Sequence, residues 1–305
     1  MNAWSPTSPC DPGCLPVAGR TTGRARALRV VRPAVRGAAL AVVLVAGLLA
    51  ALVVPLLGPS ATSVVQRVWA AAVLSACGVR VRHTGPPAPP GALVVANHVS
   101  WLDVFALQAV APVRMLAKAE VRRWPLLGLM AARAGTVFLD RDRLRDLPGA
   151  VAVLADALRT GTPIGVFAEG TTRCGRDLGA FRPAAFQAAR DAGAPVVPVA
   201  LRYRRRGDLP GTAPLDATAA FVGDDTLASS LRRVLTVRGV DVDVTACGVV
   251  DPRTVPAGPA RASARRALAD RTATAIARVL PPDLAGHVAA RPVALPTVPE
   301  LEHVA

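Results

Sequence analysis

Between Gly37 and Gly58 the chain runs for 22 residues (GAALAVVLVAGLLAALVVPLLG) without a charged side chain. A helix of about 20 apolar residues is what a bilayer core demands, and the run exceeds the hydrophobic part of a typical signal peptide. It predicts insertion into a membrane. Arg20, Arg24, Arg26, Arg29, Arg32 and Arg36 precede it, and Arg67, Arg80 and Arg82 follow it. Cations on both flanks keep both ends on the cytoplasmic side. Val68 to Val79 is a second apolar stretch, too short to span. Together they predict a membrane helical hairpin over 29–83, with the cell membrane as location and the rest of the chain on its cytoplasmic face. Residues 1–28, rich in Pro, Gly, Ser, Thr and Arg, read as a disordered basic arm.

After the turn-forming TGPPAPPG (84–91) short apolar runs alternate with longer segments of helical spacing. The predicted strands are 92–96, 113–117, 136–139, 163–167, 196–201, 218–222 and 240–247. Predicted helices lie near 101–110, 122–134, 143–159, 183–192 and 226–236. Repeated strand–helix–strand order implies an α/β domain over 84–256: a mostly parallel sheet flanked by helices, with its site at strand ends. An Ala/Arg helix over 257–280 and a disordered tail over 281–305 complete the expected organisation.

The net charge of +15 raises the question of nucleic acid. Scattered cations, 4% aromatic content and the lack of a Cys/His zinc spacing point to no nucleic-acid partner. A basic face is instead drawn to anionic lipid. Lys118 is the single lysine among 36 Lys and Arg. The cysteines Cys10, Cys14, Cys77, Cys174 and Cys247 are odd in number and read as reduced thiols, and Cys10 and Cys14, in a Pro/Ser-rich tail without histidine, do not read as a metal site. No metal or redox cofactor is expected.

The segment VVANHVSWLD sets Asn97 and His98 directly after a buried-type strand, with Asp103 five residues beyond the histidine. A histidine so placed can serve as a base near neutral pH, and a carboxylate can hold its ring in one tautomer. The alternative is local: Ser100 to Asp103 also has capping-box spacing, so Asp103 would simply start a helix. The other histidines, His83, His287 and His303, lie beside a loop or in the tail.

At this point the chain resembles the 1-acylglycerol-3-phosphate acyltransferase family, whose hallmark is a histidine and an aspartate separated by four residues. GTVFLDR (135–141), FAEGTT (167–172) and VVPVAL (196–201) resemble its later blocks in order. The likeness covers roughly 65–250. It implies transfer of a fatty acyl group from acyl-CoA or acyl carrier protein to a lysophospholipid hydroxyl, with His98 as base and Asp103 as its orienting partner. It also implies acceptor contacts from Arg141, Glu169 and Gly170; Thr171 and Thr172 add hydroxyl donors beside them, and Lys118, the one lysine in an arginine-using chain at a position where the family commonly has lysine, reads as a phosphate contact. Many members have proline where this chain has Ala168, and arginine where it has Thr172, with Arg173 one position later. Glu-Gly-Thr-Thr variants resemble relatives that act on other lysolipids, lyso-ornithine lipid among them.

Overall fold

A computed structural model describes residues 8–16, 23–124, 127–140, 143–208, 215–255 and 261–280. The first long element is α1 (Gly23–Val53), followed by a 3-10 turn and α2 (Pro59–Ala76). The seven-stranded sheet comprises β1 (Val79–Thr84), β2 (Leu93–Ala96), β3 (Arg114–Lys118), β4 (Val137–Leu139), β5 (Ile164–Phe167), β6 (Val196–Arg205) and β7 (Val240–Ala246). Its spatial order is β1-β7-β6-β2-β5-β3-β4, and every neighbouring pair is parallel except β6 with β7. The helices between strands are α3 (Leu102–Val110), α4 (Leu127–Arg133), α5 (Leu147–Arg159), α6 (Ala184–Ala192) and α7 (Leu227–Thr236), and α8 (Arg261–Ala277) follows the sheet. The expected mostly parallel α/β sheet is present.

Alternation along the central strands builds two cores. Val94 and Ala96 of β2 face one way, with Val197, Val199 and Leu201 of β6 and residues of α2, α3 and α7. Leu93 and Val95 face the other way, against α5, α6 and α8 through Leu154, Phe186 and Leu268. Both faces are therefore apolar, as a buried parallel strand requires.

Four sequence expectations change. Residues 79–83, expected inside the membrane hairpin, form with Thr84 the edge strand β1; Gly78, at φ +77°, ends the preceding helix and the Val-Arg alternation pairs with β7. Thr218–Val222 is no strand: Ala217–Ala219 forms a 3-10 turn capped by Asp216, and the carbonyls of Thr218 and Ala220 accept from Arg233 rather than from a neighbouring strand. β6 continues to Arg205, four residues past expectation, because the buried Arg204 meets Asp243 at 2.8 Å and Asp241 at 3.2 Å across the antiparallel pair. Finally, residues 8–16, read as part of a structureless arm, form a 3-10 turn over Pro12–Cys14 with Cys10 buried.

The helix pair attaches to the sheet domain at several points. The guanidinium of Arg36 donates to the carbonyls of Leu235 and Val237 at the end of α7, at 3.0 and 2.7 Å. That cation satisfies helix-terminal carbonyls that have no partner within the helix. Trp69 of α2 donates its indole N–H to the Val43 carbonyl of α1 at 2.9 Å, while its ring meets Phe105 of α3 edge-on. At the far end of α1, Arg133 of α4 donates to the Ala51 carbonyl at 3.1 Å.

Candidate active site

The central strand β2 lies between β5 and β6, so chains leaving its C-terminal end enter the crevice where the connections diverge to either side. Asn97 makes that exit possible. Its side-chain amide donates to the Leu201 carbonyl at 3.0 Å and its oxygen accepts from the Leu201 amide at 2.8 Å. The side chain thus replaces a strand residue in the ladder to β6 while the backbone turns away, and the next residue is presented at the sheet end.

That residue is His98. Its Nδ1 lies 2.9 Å from Oδ2 of Asp103, in the first turn of α3. Asp103 is wholly buried, and the same Oδ2 accepts the backbone amides of Val99 at 2.6 Å and Ser100 at 2.8 Å, while Oδ1 accepts the Tyr203 hydroxyl at 2.6 Å. The helix-starting role of Asp103 and its role as imidazole partner are therefore one structure. An ionised carboxylate can only accept, so in the neutral ring Nδ1–H donates to Oδ2 and Nε2 is the basic nitrogen. Phe167 stacks on the ring with centroids 3.9 Å apart and planes 7° apart, and the imidazole keeps 19% exposure. Its tautomer, tilt and outward edge are thus fixed by separate contacts.

Glu169 stands just beyond the end of β5. One oxygen accepts the His98 backbone amide at 2.9 Å, and the other accepts the Gly179 amide at 2.8 Å. Arg173 brings Nε to 3.1 Å of Glu169, an ion pair without hydrogen-bond alignment, and its guanidinium also pairs with Asp177. Burial pushes the Glu169 carboxyl up to about 7, against the pull of both amides and Arg173. With these contacts made, Glu169 positions the backbone of His98. The Arg173 amide completes the junction by donating to the His98 carbonyl at 2.8 Å.

The other expected site residues fall at increasing distance. Gly170 follows Glu169 with φ at +77°, a conformation that suits glycine. Thr171 and Thr172 are half-buried on the same loop. Lys118 closes β3, two strands away at the same C-terminal edge of the sheet. Arg141 lies outside the described residues. Three contributors were not singled out from sequence: Tyr203, Phe167 and the clamping role of Arg173. Tyr203 carried a signal, being the only tyrosine in the chain and two residues past the VVPVAL block.

Fold and site together define a class: an α/β protein that presents a carboxylate-oriented imidazole at the end of a central parallel strand. The family model described as acyltransferase matches residues 79–202. The 1-acyl-sn-glycerol-3-phosphate acyltransferase of Neisseria gonorrhoeae is 37% identical over 206 residues, covering 68% of this chain and 76% of that protein. The lyso-ornithine lipid O-acyltransferase of Pseudomonas aeruginosa is 42% identical over 181 residues, covering 58% and 67%. A crystal structure of the 1-acyl-sn-glycerophosphate acyltransferase of Thermotoga maritima superposes with a TM-score of 0.57 at 17% identity, over 84% of this chain and 97% of that one, a likeness of fold. The chain belongs to the acyltransferase family that includes these lysolipid enzymes.

Proposed function

We propose that this protein acylates the free sn-2 hydroxyl of 1-acylglycerol-3-phosphate with a fatty acyl group from acyl-CoA or acyl carrier protein, giving phosphatidic acid. The observation that carries the reading is the His98 ring, held through Nδ1 by the buried Asp103 at 2.9 Å and itself 19% exposed. In the proposed reaction Nε2 takes the proton of the lysolipid hydroxyl as its oxygen bonds to the thioester carbonyl carbon. The tetrahedral intermediate collapses with loss of the carrier thiolate, which regains the proton from the imidazolium. Asp103 stabilises the imidazolium between the two steps. No covalent acyl-enzyme and no metal or redox cofactor enter this scheme. Lys118 and Arg141 supply the phosphate contacts, and Gly170, Thr171 and Thr172 border the glycerol, with Glu169 holding the loop that carries them.

The helix pair supports membrane attachment. Val30–Val53 is long and apolar enough to cross a bilayer, and only 11% of its most apolar stretch is buried. Val42, Val45, Leu49 and Leu56, with Val64 and Val68 of α2, point outward. A soluble surface rarely carries so continuous an apolar face. Because α1 is tied to the sheet domain at both Arg36 and Ala51, the pair fits a hairpin laid into one leaflet, with the catalytic domain on the cytoplasmic side beside its donor. Trp124, and Leu129 of α4, are further exposed apolar side chains.

The 42% identity to a lyso-ornithine lipid enzyme supports lyso-ornithine lipid as the second acceptor. Membranes containing the wild type or His98→Ala, given either thioester donor with lysophosphatidic acid or lyso-ornithine lipid, test both. His98-dependent formation of phosphatidic acid is expected. Acylation of lyso-ornithine lipid alone overturns the acceptor and leaves the mechanism, whereas unchanged transfer by His98→Ala overturns the mechanism.

A further inference from the structure

A cluster of thiols lies at the loop that follows Glu169. Cys10, Cys14 and Cys174 bring their sulfurs within 4.8 Å of one another, with Cys10 and Cys174 buried. Three features of the backbone focus on these sulfurs. The 3-10 turn Pro12–Cys14, closed by the Asp11 side chain on the Gly13 amide at 2.8 Å, folds Cys14 back toward Cys10. The Cys174 amide donates to Sγ of Cys10 at 3.2 Å. Gly175, at φ +87°, bends the chain so that the Arg176 amide donates to Sγ of Cys174. Sγ of Cys10 and Sγ of Cys174 thus each accept one backbone N–H, the kind of outer donor that orients a thiolate metal ligand.

We propose that Cys10, Cys14 and Cys174 bind one Zn2+ ion that clips residues 8–16 onto the loop following β5. Zinc–sulfur bonds of about 2.3 Å in a tetrahedral site place neighbouring sulfurs about 3.8 Å apart, so the cluster closes by at most about 1 Å on loading. Three S–H bonds break on binding, and their protons leave to water. The resulting ion with three thiolates carries one negative charge, with the Asp177 carboxylate nearby and Arg173 and Arg176 flanking Cys174 in sequence. A water molecule fills the fourth position. Burial pushes the Cys174 thiol up to about 12 and raises Cys10 as well, so these two thiols release protons when the ion binds. The connection to the active site is short: Arg173 precedes Cys174, pairs with Glu169 and donates its amide to the His98 carbonyl.

The full chain, purified in detergent under reducing conditions, is stripped with a chelator and reloaded with zinc chloride or cobalt chloride. The expected result is stoichiometric zinc by elemental analysis and, with cobalt, thiolate-to-metal charge-transfer absorption together with tetrahedral d–d bands. Cys10→Ser and Cys174→Ser lose the stoichiometric ion, whereas Cys247→Ser, outside the cluster, retains it. The cobalt spectrum of the wild type needs no variant to fold. Absence of both stoichiometric zinc and thiolate–cobalt absorption overturns the proposal. Isolation of a Cys10–Cys174 disulfide that persists under the reducing preparation overturns it equally.

Discussion

Replacement of Asp103 by asparagine separates what the aspartate does by charge from what it does by geometry. In serine proteases the corresponding change costs about 10^4-fold because the amide turns the histidine into the wrong tautomer. Here a smaller loss is expected. Oδ2 receives the Val99 and Ser100 amides as well as His98 Nδ1, so an NH2 group at that position would face two backbone donors. Each unmatched buried donor costs about 1–3 kcal/mol, which locks the asparagine oxygen toward the amides. Its NH2 then faces Tyr203, whose hydroxyl rotates from donor to acceptor. The proton stays on Nδ1, and only the negative charge beside the imidazolium is lost. A charge-assisted bond exceeds a neutral one roughly twofold, so the barrier rises by about 2–3 kcal/mol, a decrease of roughly 30- to 150-fold in kcat. The assay is initial-rate acyl transfer in mixed micelles, with near-ultraviolet circular dichroism to establish the fold. A loss approaching 10^4-fold in folded protein would refute the claim that the backbone amides fix the tautomer. A loss below about threefold would reduce Asp103 to a helix cap.

Three further outcomes follow from the same geometry. Tyr203→Phe leaves Oδ1 of the buried Asp103 without its hydroxyl donor and is expected to lower unfolding stability by about 1–3 kcal/mol in chemical denaturation; an unchanged midpoint would show that the bond contributes nothing. Asn97→Ala strips both ladder partners from Leu201 and is expected to cost about 2–4 kcal/mol and a larger share of kcat than of KM, checked by denaturation and saturation kinetics. For Glu169 the folded carboxyl sits near 7 against an ordinary value of 4.5, so the folded state binds the extra proton. Its contribution is complete below about 4.5 and is lost as pH rises through about 7, amounting to about 3 kcal/mol. Glu169→Gln should flatten that slope in denaturation midpoints measured from pH 4.5 to 8, and an equally steep slope in the variant would assign it to another group.

The chain order of residues decides the apolar helix, the strand–helix alternation and the His98–Asp103 spacing, because each is a local pattern written within a few turns or strands. Repeated βα units largely dictate a parallel sheet, and a five-residue step across a strand–helix junction already brings an imidazole to a carboxylate. Other features required chain segments far apart in sequence to meet. Tyr203 approaches Asp103 from 100 residues away, Asn97 reaches the same strand from 104, and Cys174 meets Cys10 across 164. The polar residues at 202–205 read as the end of a strand until the aspartates of β7 neutralise Arg204. Likewise Val79–Thr84 has a strand's alternation, but the edge it occupies exists only once β7 is in place. Local periodicity records which groups a segment tends to bury; it does not say which distant donor, counter-charge or strand edge will satisfy them, and packing alone settles that pairing.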